Sequence, residues 1–310
     1  MASADITIDD DRAREIAEVY TDNHLLLRFL SQFGWGDLVN IGYYAWPTLP
    51  ALAGGLAFFQ RSLVNRSIGL LDARPGDRVI DASCGRGWST AELAARGYRA
   101  VGLDLSPEQI ERARRRFGSR PRASFHVADV TALPARVDGT ELRDGGFDRV
   151  HCLEAAFHYG SEGRRAFLEE SHRMLRPGGR LVLVDFTLPA GTDPAEFAAA
   201  DPRHLVRTAW SFDTFEPVDR YVRFATDAGF TVRRVLDWSR PSLRRGTALV
   251  QAAAALTDST AGRAALCAAR PRLRAFTPDD WAHLTEVLRA HQAFEKVHYA
   301  AFVLDKPAAG

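Results

Sequence analysis

The sequence has little of several features that define other protein classes. It contains three cysteines, Cys84, Cys152 and Cys267, an odd number in which no pair has metal-ligand spacing. This argues against a disulfide framework or a cysteine metal site and predicts a reducing compartment, the cytoplasm. No apolar run reaches the roughly 20 residues that span a bilayer. The N-terminus also lacks the basic segment and apolar run of a signal peptide.

An excess of charge is also missing. The 310 residues include 40 Lys and Arg against 39 Asp and Glu, for a net charge of +1. Such a balance favours neither nucleic acid nor an anionic membrane as a partner. The apolar fraction is 46% and the charged fraction 25%, as in ordinary globular proteins. The length suits one large α/β domain with insertions, or two small domains.

The most informative pattern present is a strand, a turn and a helix within residues 78–97. Apolar residues lead into Asp81, and a turn of small residues with Ser83, Gly85 and Gly87 follows. The next residues have helical spacing, so the segment predicts the start of a βαβ unit. Glycines let backbone N–H groups approach a ligand closely, and the N-terminus of the helix adds a partial positive charge.

Acidic residues end or follow the next two predicted strands. Residues 99–104 form the second strand and end in Asp104, where a carboxylate is placed to hold a ribose diol. Residues 123–127 form the third strand. Asp129 follows it, where a carboxylate can accept a hydrogen bond from an adenine amino group. The alternative role of Asp129 is to cap the turn.

Five motifs in this order resemble those of class I S-adenosylmethionine (SAM)-dependent methyltransferases. They lie at residues 81–87, 101–106, 128–130, 147–150 and 175–179. The resemblance covers roughly residues 60–238. It implies SAM as the cofactor, held by Asp81, Ser83, Gly85, Gly87, Asp104, Leu105, Asp129, Val130 and Glu154. The one departure is Ser83, which replaces the first motif glycine. We expect a negative φ there, since a serine rarely adopts a positive one.

The resemblance and the strand pattern together predict the fold. We expect a Rossmann-like α/β fold, with a seven-stranded, mostly parallel sheet and helices on both faces. Residues 1–72 are expected to form an N-terminal helical cap and residues 73–310 the SAM-binding core. A helical insertion at 240–292 precedes the last strand, which is antiparallel in this family. The insertion is a candidate lid or homodimer contact.

A segment rich in glycine and aromatic residues at 35–47 precedes the core. It resembles the Asn-x-Gly-Tyr segment of sterol, tocopherol and macrolide-sugar methyltransferases, which covers SAM and shapes the substrate cavity. On that basis Tyr43 and Tyr44 are candidate substrate-binding residues. The aromatic Trp46 in the same segment is a further candidate. The alternative is a hydrophobic contact between an N-terminal helix and the sheet.

The segment after the fourth strand, residues 154–160, is expected to face the transferred methyl group, because ligands of parallel sheets bind beyond the carboxyl ends of the strands. It resembles the Leu-Glu-x-x-Phe-His-Phe/Tyr stretch of macrolide-sugar O-methyltransferases. An imidazole titrates near neutral pH, so His158 is the candidate base for a hydroxyl acceptor. Its alternative role is a hydrogen bond within the loop.

If the methyl acceptor is a carbon atom, residues of the same region would have to stabilise positive charge instead of removing a hydroxyl proton. Methylation of an alkene or prenyl carbon passes through a carbocation, which aromatic faces and a carboxylate stabilise. Glu154 is the candidate carboxylate, and the candidate aromatic wall consists of Tyr43, Tyr44, Trp46, Phe157, Tyr159 and Trp210.

The expected function is therefore methyl transfer from SAM to a small, fairly hydrophobic acceptor of secondary metabolism. O-methylation with His158 as base is the first hypothesis, and C-methylation is the second. A cyclase that binds SAM and a non-catalytic scaffold are the alternatives from other classes. No cluster of His, Asp and Glu in the sequence argues for a catalytic metal.

Overall fold

A seven-stranded sheet forms the centre of the molecule. The computed structural model describes residues 24–36, 38–45 and 51–309. Counted in chain order, the strands lie in the sheet as third, second, first, fourth, fifth, seventh and sixth. The first five strands pair in parallel, and the seventh runs antiparallel between the fifth and the sixth. The expected Rossmann-like, mostly parallel architecture is confirmed.

The strand bounds agree closely with the sequence pattern. The strands are β1 Arg78–Ala82, β2 Arg99–Asp104, β3 Ala123–Val127, β4 Phe147–Leu153, β5 Leu175–Thr187, β6 Thr231–Asp237 and β7 His298–Asp305. In β5 every residue from 181 to 187 is buried, as expected of a central strand that is covered on both faces. A small hairpin of Arg136–Val137 and Thr140–Glu141 lies where the sequence predicts only a surface loop.

Alternate residues of the strands face two separate layers of helices. Val182 and Val184 of β5 pack in one hydrophobic cluster, and Leu181 and Leu183 pack in another on the opposite face. The α-helices are α1 Leu25–Ser31, α2 Ala51–Gly69, α3 Trp88–Ala95, α4 Pro107–Phe117, α5 Gly160–Met174, α6 Ala195–Ala200, α7 Leu205–Trp210, α8 Val218–Asp227, α9 Arg245–Asp258, α10 Thr260–Ala269 and α11 Pro278–Ala290.

The N-terminal helix packs on the insertion. Leu26 and Phe29 of α1 share a hydrophobic cluster with Leu266 of α10 and with Trp281 and Leu288 of α11. The cap and the insertion, which the sequence predicts as separate elements, thus form one helical layer. The helix predicted over residues 11–33 is described for residues 25–31, and its earlier part lies outside the described residues. In the described part of the chain, no helix has the length and apolarity needed to cross a membrane.

Candidate active site

Two cavities lie beyond the carboxyl ends of the parallel strands. The smaller cavity, of about 170 Å³, is lined by the glycine turn after β1 and by residues that follow β2 and β4. The larger cavity, of about 540 Å³, is lined mostly by apolar residues of α1, α2, α9 and the segments after β4 and β5. This is the edge of a doubly wound sheet where ligands bind.

The glycine turn and the end of β2 are tied together at the small cavity. The backbone N–H of Gly85 donates to Asp104 Oδ2 at 2.8 Å, and that of Ser106 donates to Oδ1 at 2.9 Å. Burial raises the pKa of Asp104, and these two hydrogen bonds oppose the rise. Gly85, Asp104 and Leu105 all line the small cavity, so the structure brings these three predicted residues together.

Asp81 lies at the base of the small cavity and is 2% exposed. Its Oδ2 accepts hydrogen bonds from the hydroxyls of Ser89 and Thr90, both at 2.6 Å. Its Oδ1 lies 2.8 Å from His151 Nδ1. The carboxylate therefore joins β1 to the start of α3 and to β4, and holds the glycine turn in place.

Ser83 adopts a φ of +53°, so the expected negative φ is wrong. Left-handed backbone costs a non-glycine residue about 1 kcal/mol or more. Its Oγ lies 2.6 Å from the hydroxyl oxygen of Tyr159, a hydrogen bond that links the turn after β1 to the segment after β4. Both residues line the small cavity. The serine thus keeps the backbone conformation that a glycine would adopt there.

Three of the predicted cofactor residues do not line the small cavity. Gly87 serves close packing, because a Cβ there would lie 2.6 Å from the ring of Phe125. Asp129 Oδ1 accepts from the backbone and the hydroxyl of Thr131 at 2.8 and 2.7 Å, which is the turn-capping role. Val130 is buried in the hydrophobic core.

Gln109 lines the small cavity, although no motif in the sequence marks it as a binding residue. It lies in the first turn of α4 and is 8% exposed. Within the part of the chain that the structure describes, its Oε1 is buried without a hydrogen-bond partner. Such an orphaned polar atom fits a site that receives a polar ligand. In the sequence, Ser106 marks where this helix begins, but no local pattern indicates which face of the helix meets the cavity.

Glu154 lies at the junction of the two cavities. It lines both of them, together with Val39 and Asn40. Its carboxylate accepts from the backbone N–H of Ile41 at 3.1 Å and from the hydroxyl of Tyr299 at 2.5 Å. Burial raises the pKa of Glu154 to about 8, and these hydrogen bonds oppose the rise. The side chain is therefore mostly protonated at neutral pH and can gain or lose a proton near it.

His158 lines the small cavity and is buried. Its Nδ1 lies 2.9 Å from the carbonyl oxygen of Ser211. A carbonyl only accepts, so Nδ1 carries a proton, and in the neutral ring Nε2 is the basic nitrogen. The buried Arg164 holds this segment, because its guanidinium donates to the carbonyls of Phe157 and Thr214 at 2.9 and 2.8 Å.

The predicted aromatic wall divides between the cavities. Tyr44, Phe157 and Trp210 line the large cavity, and Tyr159 lines the small one. Burial raises the pKa of Tyr44, and the nearby Glu154 carboxylate adds to the rise. Tyr43 lines neither cavity, and its ring packs edge-on against Trp238 at 5.5 Å and under the guanidinium of Arg66 at 4.2 Å. Trp46 lies outside the described residues.

A Rossmann-like sheet with a small cavity between a glycine turn and the acid that ends the second strand is typical of proteins that bind a nucleotide-containing cofactor. A family model described as a methyltransferase domain matches residues 79–179. The methyltransferase GfsG of Streptomyces halstedii is 30% identical over 255 residues, 81% of this chain and 85% of that protein. The 27-O-demethylrifamycin SV methyltransferase of Amycolatopsis mediterranei is 31% identical over 218 residues, 67% of this chain and 73% of that protein.

The chain belongs to the class I SAM-dependent methyltransferases, and SAM is its cofactor. The same fold occurs in geranyl diphosphate C-methyltransferase from Streptomyces coelicolor A3(2), solved with Mg²⁺, geranyl-S-thiolodiphosphate and S-adenosyl-L-homocysteine. The TM-score is 0.66 at 16% identity, over 97% of this chain and 99% of that one. The chain is thus an enzyme that methylates a small molecule, as expected.

Proposed function

We propose that the enzyme methylates a hydroxyl group of an acceptor bound in the large cavity. The observation that carries this proposal is the junction formed by Val39, Asn40 and Glu154, which are the residues common to the linings of the two cavities. SAM supplies an electrophilic methyl group that a nucleophile attacks in line. An acceptor oxygen at the junction would face a cofactor held at Asp104 and the glycine turn.

His158 is the proposed base. Its Nδ1–H donates to the Ser211 carbonyl, which orients the ring and makes Nε2 the nitrogen that would accept the hydroxyl proton. Asp81, Ser83, Gly85, Asp104 and Leu105 are proposed to hold or shape the cofactor site. We add Gln109 to them because its Oε1 is buried and has no partner within the described residues. The name of the rifamycin relative supports O-methylation, because it describes a protein that methylates an oxygen.

C-methylation is the second candidate, and the aromatic surroundings of the junction favour it. The ring of Phe157 lies 5.2 Å from that of Phe186, and Phe186 lies 5.6 Å from Phe215. All three line the large cavity with Glu154. Aromatic faces and a carboxylate stabilise a developing carbocation. In this reaction the ionised form of Glu154 would accept the proton that the cation loses.

Transfer of a labelled methyl group to candidate acceptors separates the two reactions. For O-methylation, His158→Ala should lower the rate on the order of a hundredfold or more, with little change in SAM affinity. Glu154→Gln should then have the smaller effect. The exposed His283→Ala is the matched control, since it removes an imidazole that lines neither the small nor the large cavity.

An unchanged rate in His158→Ala, together with a large loss in Glu154→Gln, would contradict the O-methylation proposal and favour the carbon acceptor. Methyl counting on the product distinguishes transfer from the cyclase alternative, in which SAM keeps its methyl group. Calorimetry with SAM and S-adenosylhomocysteine tests the scaffold alternative separately. Turnover of SAM to S-adenosylhomocysteine with an acceptor would exclude a purely binding role.

A further inference from the structure

The charge of the large cavity restricts what it can bind. Among the described residues that line it, the titratable side chains are those of Tyr44, Glu154, Arg270 and His291. Burial raises the pKa of Tyr44, so its hydroxyl stays neutral. The remaining lining is apolar or aromatic apart from a few uncharged polar groups such as Asn40 and Thr247. The volume of about 540 Å³ falls within the range of roughly 300–1,000 Å³ that accommodates drug-sized ligands.

Arg270, the single cation in that set, is held at the outer rim. Its Nε donates to the carbonyl oxygen of Gln32 at 2.7 Å, and its Nη1 donates to that of Ala269 at 2.9 Å. Its guanidinium also lies over the ring of Phe33 at 5.5 Å. The residue is exposed, so its charge is solvated at the end of α10.

His291 is held in the neutral form. Its Nδ1 donates to the carbonyl of Val287 at 2.7 Å, and its Nε2 accepts from the indole N–H of Trp210 at 2.8 Å. Burial lowers the pKa of His291 to about 4. An imidazole that accepts from an indole N–H keeps its lone pair there, so it offers no positive charge to an anion in the cavity.

A metal ion could replace protein cations at a phosphate, as Mg²⁺ does in many phosphate sites. The described residues contain no group of three or more His, Cys, Asp or Glu side chains close enough to hold one. Anionic oxygens in the interior of the large cavity would therefore meet the carboxyl group of Glu154 and apolar walls, with no cation among the described lining residues there to pair with them. Burial of an unpaired ion costs several kcal/mol.

Resting on the proposal that the large cavity is the acceptor site, we propose that the acceptor is an uncharged, largely apolar molecule and that the site rejects its phosphorylated counterparts. The polar, methyl-accepting end lies at the junction beside Asn40 and Glu154. The apolar body lies among α1, α2 and α9. This separates the enzyme from the fold relative that was solved with a diphosphate ligand.

Geraniol and geranyl monophosphate form a matched pair of probes for this inference. Binding of each to the enzyme saturated with S-adenosylhomocysteine is measured by calorimetry, with quenching of tryptophan fluorescence as the second readout. We expect geraniol to bind and the monophosphate to bind at least about tenfold more weakly. Thr247→Arg, which adds a cation to the cavity wall, should shift the preference toward the phosphate, whereas Thr247→Gln, which adds a polar but uncharged side chain, should not.

A cavity-filling variant identifies where the probes bind. Ala253 of α9 lines the large cavity, so Ala253→Phe should abolish geraniol binding and leave S-adenosylhomocysteine binding intact. The exposed Ala255 of the same helix lies outside the lining, so Ala255→Phe is the control and should change neither affinity.

Two results would overturn the inference in distinguishable ways. If the monophosphate binds as tightly as geraniol and Ala253→Phe abolishes both, the cavity is the site and the charge argument is wrong. If Ala253→Phe leaves binding unchanged, the large cavity is not the acceptor site, and the proposed function falls with the inference. Absence of geraniol binding at millimolar concentration also counts against an uncharged apolar acceptor.

Discussion

Replacement of Glu154 by glutamine should stabilise the protein at high pH and leave its stability nearly unchanged at low pH. The pKa of Glu154 is raised from 4.5 to about 8 in the folded protein, chiefly by burial. The folded state thus holds this proton more tightly than the unfolded state. The stability it contributes is fully present below pH 4.5 and is lost as the pH rises through about 8. A neutral glutamine removes this dependence.

The structure sets the size of the effect. Each pKa unit corresponds to about 1.4 kcal/mol, so a rise from 4.5 to about 8 sets an upper limit of about 5 kcal/mol. Glu154 borders both cavities and is only partly buried, and screening there lowers the expected gain to about 2–3 kcal/mol. The glutamine oxygen can still accept from Tyr299 and Ile41, since both contact Oε1 in the wild type.

The assay is urea unfolding of the cofactor-free protein at pH 5, 7 and 9. The difference between Glu154→Gln and the wild type should be small at pH 5 and grow in favour of the variant toward pH 9. Asp185, whose burial raises its pKa to about 7, drives part of the same trend in both proteins, so only their difference reports Glu154. Glu154→Ala loses the hydrogen bonds and should be destabilised at every pH. If the difference in unfolding free energy between Glu154→Gln and the wild type is the same at pH 5, 7 and 9, the reasoning is refuted.

Three further changes test the cofactor site and its supports. Asp104→Ala should weaken SAM binding about a hundredfold in calorimetry, because the ribose hydroxyls lose a charged acceptor. Gly87→Ala should cost about 2–4 kcal/mol of unfolding free energy in urea, since its φ is +79° and a Cβ would lie 2.6 Å from Phe125. Arg164→Met should cost about 3–5 kcal/mol in the same assay, because it leaves the buried Glu216 without this partner. Unchanged affinity or stability would contradict the corresponding assignment.

The core of the fold could be predicted from the sequence because its signals are local. The second, third and fourth strands have the predicted bounds, since each is a short apolar run between turn signals. The helical layer formed by α1 and the insertion could not be predicted. Each helix has an apolar face that the sequence pattern indicates, but no local pattern indicates which helices pack their apolar faces against each other. That pairing joins Leu26 to Leu288, near opposite ends of the chain.

The candidate site divides in the same way. Gly85, Asp104 and Leu105 could be placed because a strand, a turn and the next strand bring them together over a short stretch of chain. Gln109 was missed because its role depends on which side of α4 borders the cavity. The expectation of a negative φ at Ser83 was wrong, and it could not take into account the hydrogen bond between the serine hydroxyl and Tyr159, which is distant in sequence. Backbone propensity describes a serine without its tertiary contacts, whereas in the folded protein this hydrogen bond accompanies the rarer, left-handed conformation.

The segment 38–45 depends on long-range contacts in a way that bears on substrate choice. Gln60 of α2 donates to the carbonyls of Leu38 and Asn40 at 2.6 and 2.9 Å. Glu154 accepts from the N–H of Ile41.

The start of the insertion holds the end of the same segment, where the N–H of Tyr44 donates to the Pro241 carbonyl at 2.8 Å. Contacts from the cap, the sheet and the insertion therefore together position the segment 38–45, whose residues Val39 and Asn40 border both cavities. The small cavity, the proposed cofactor site, is lined mainly by the core motifs, whereas the large cavity, the proposed acceptor site, is lined mainly by the cap, the insertion and the segments after β4 and β5. Substitutions in α1, α2 and α9 should consequently change which acceptor is used, with little change in SAM affinity.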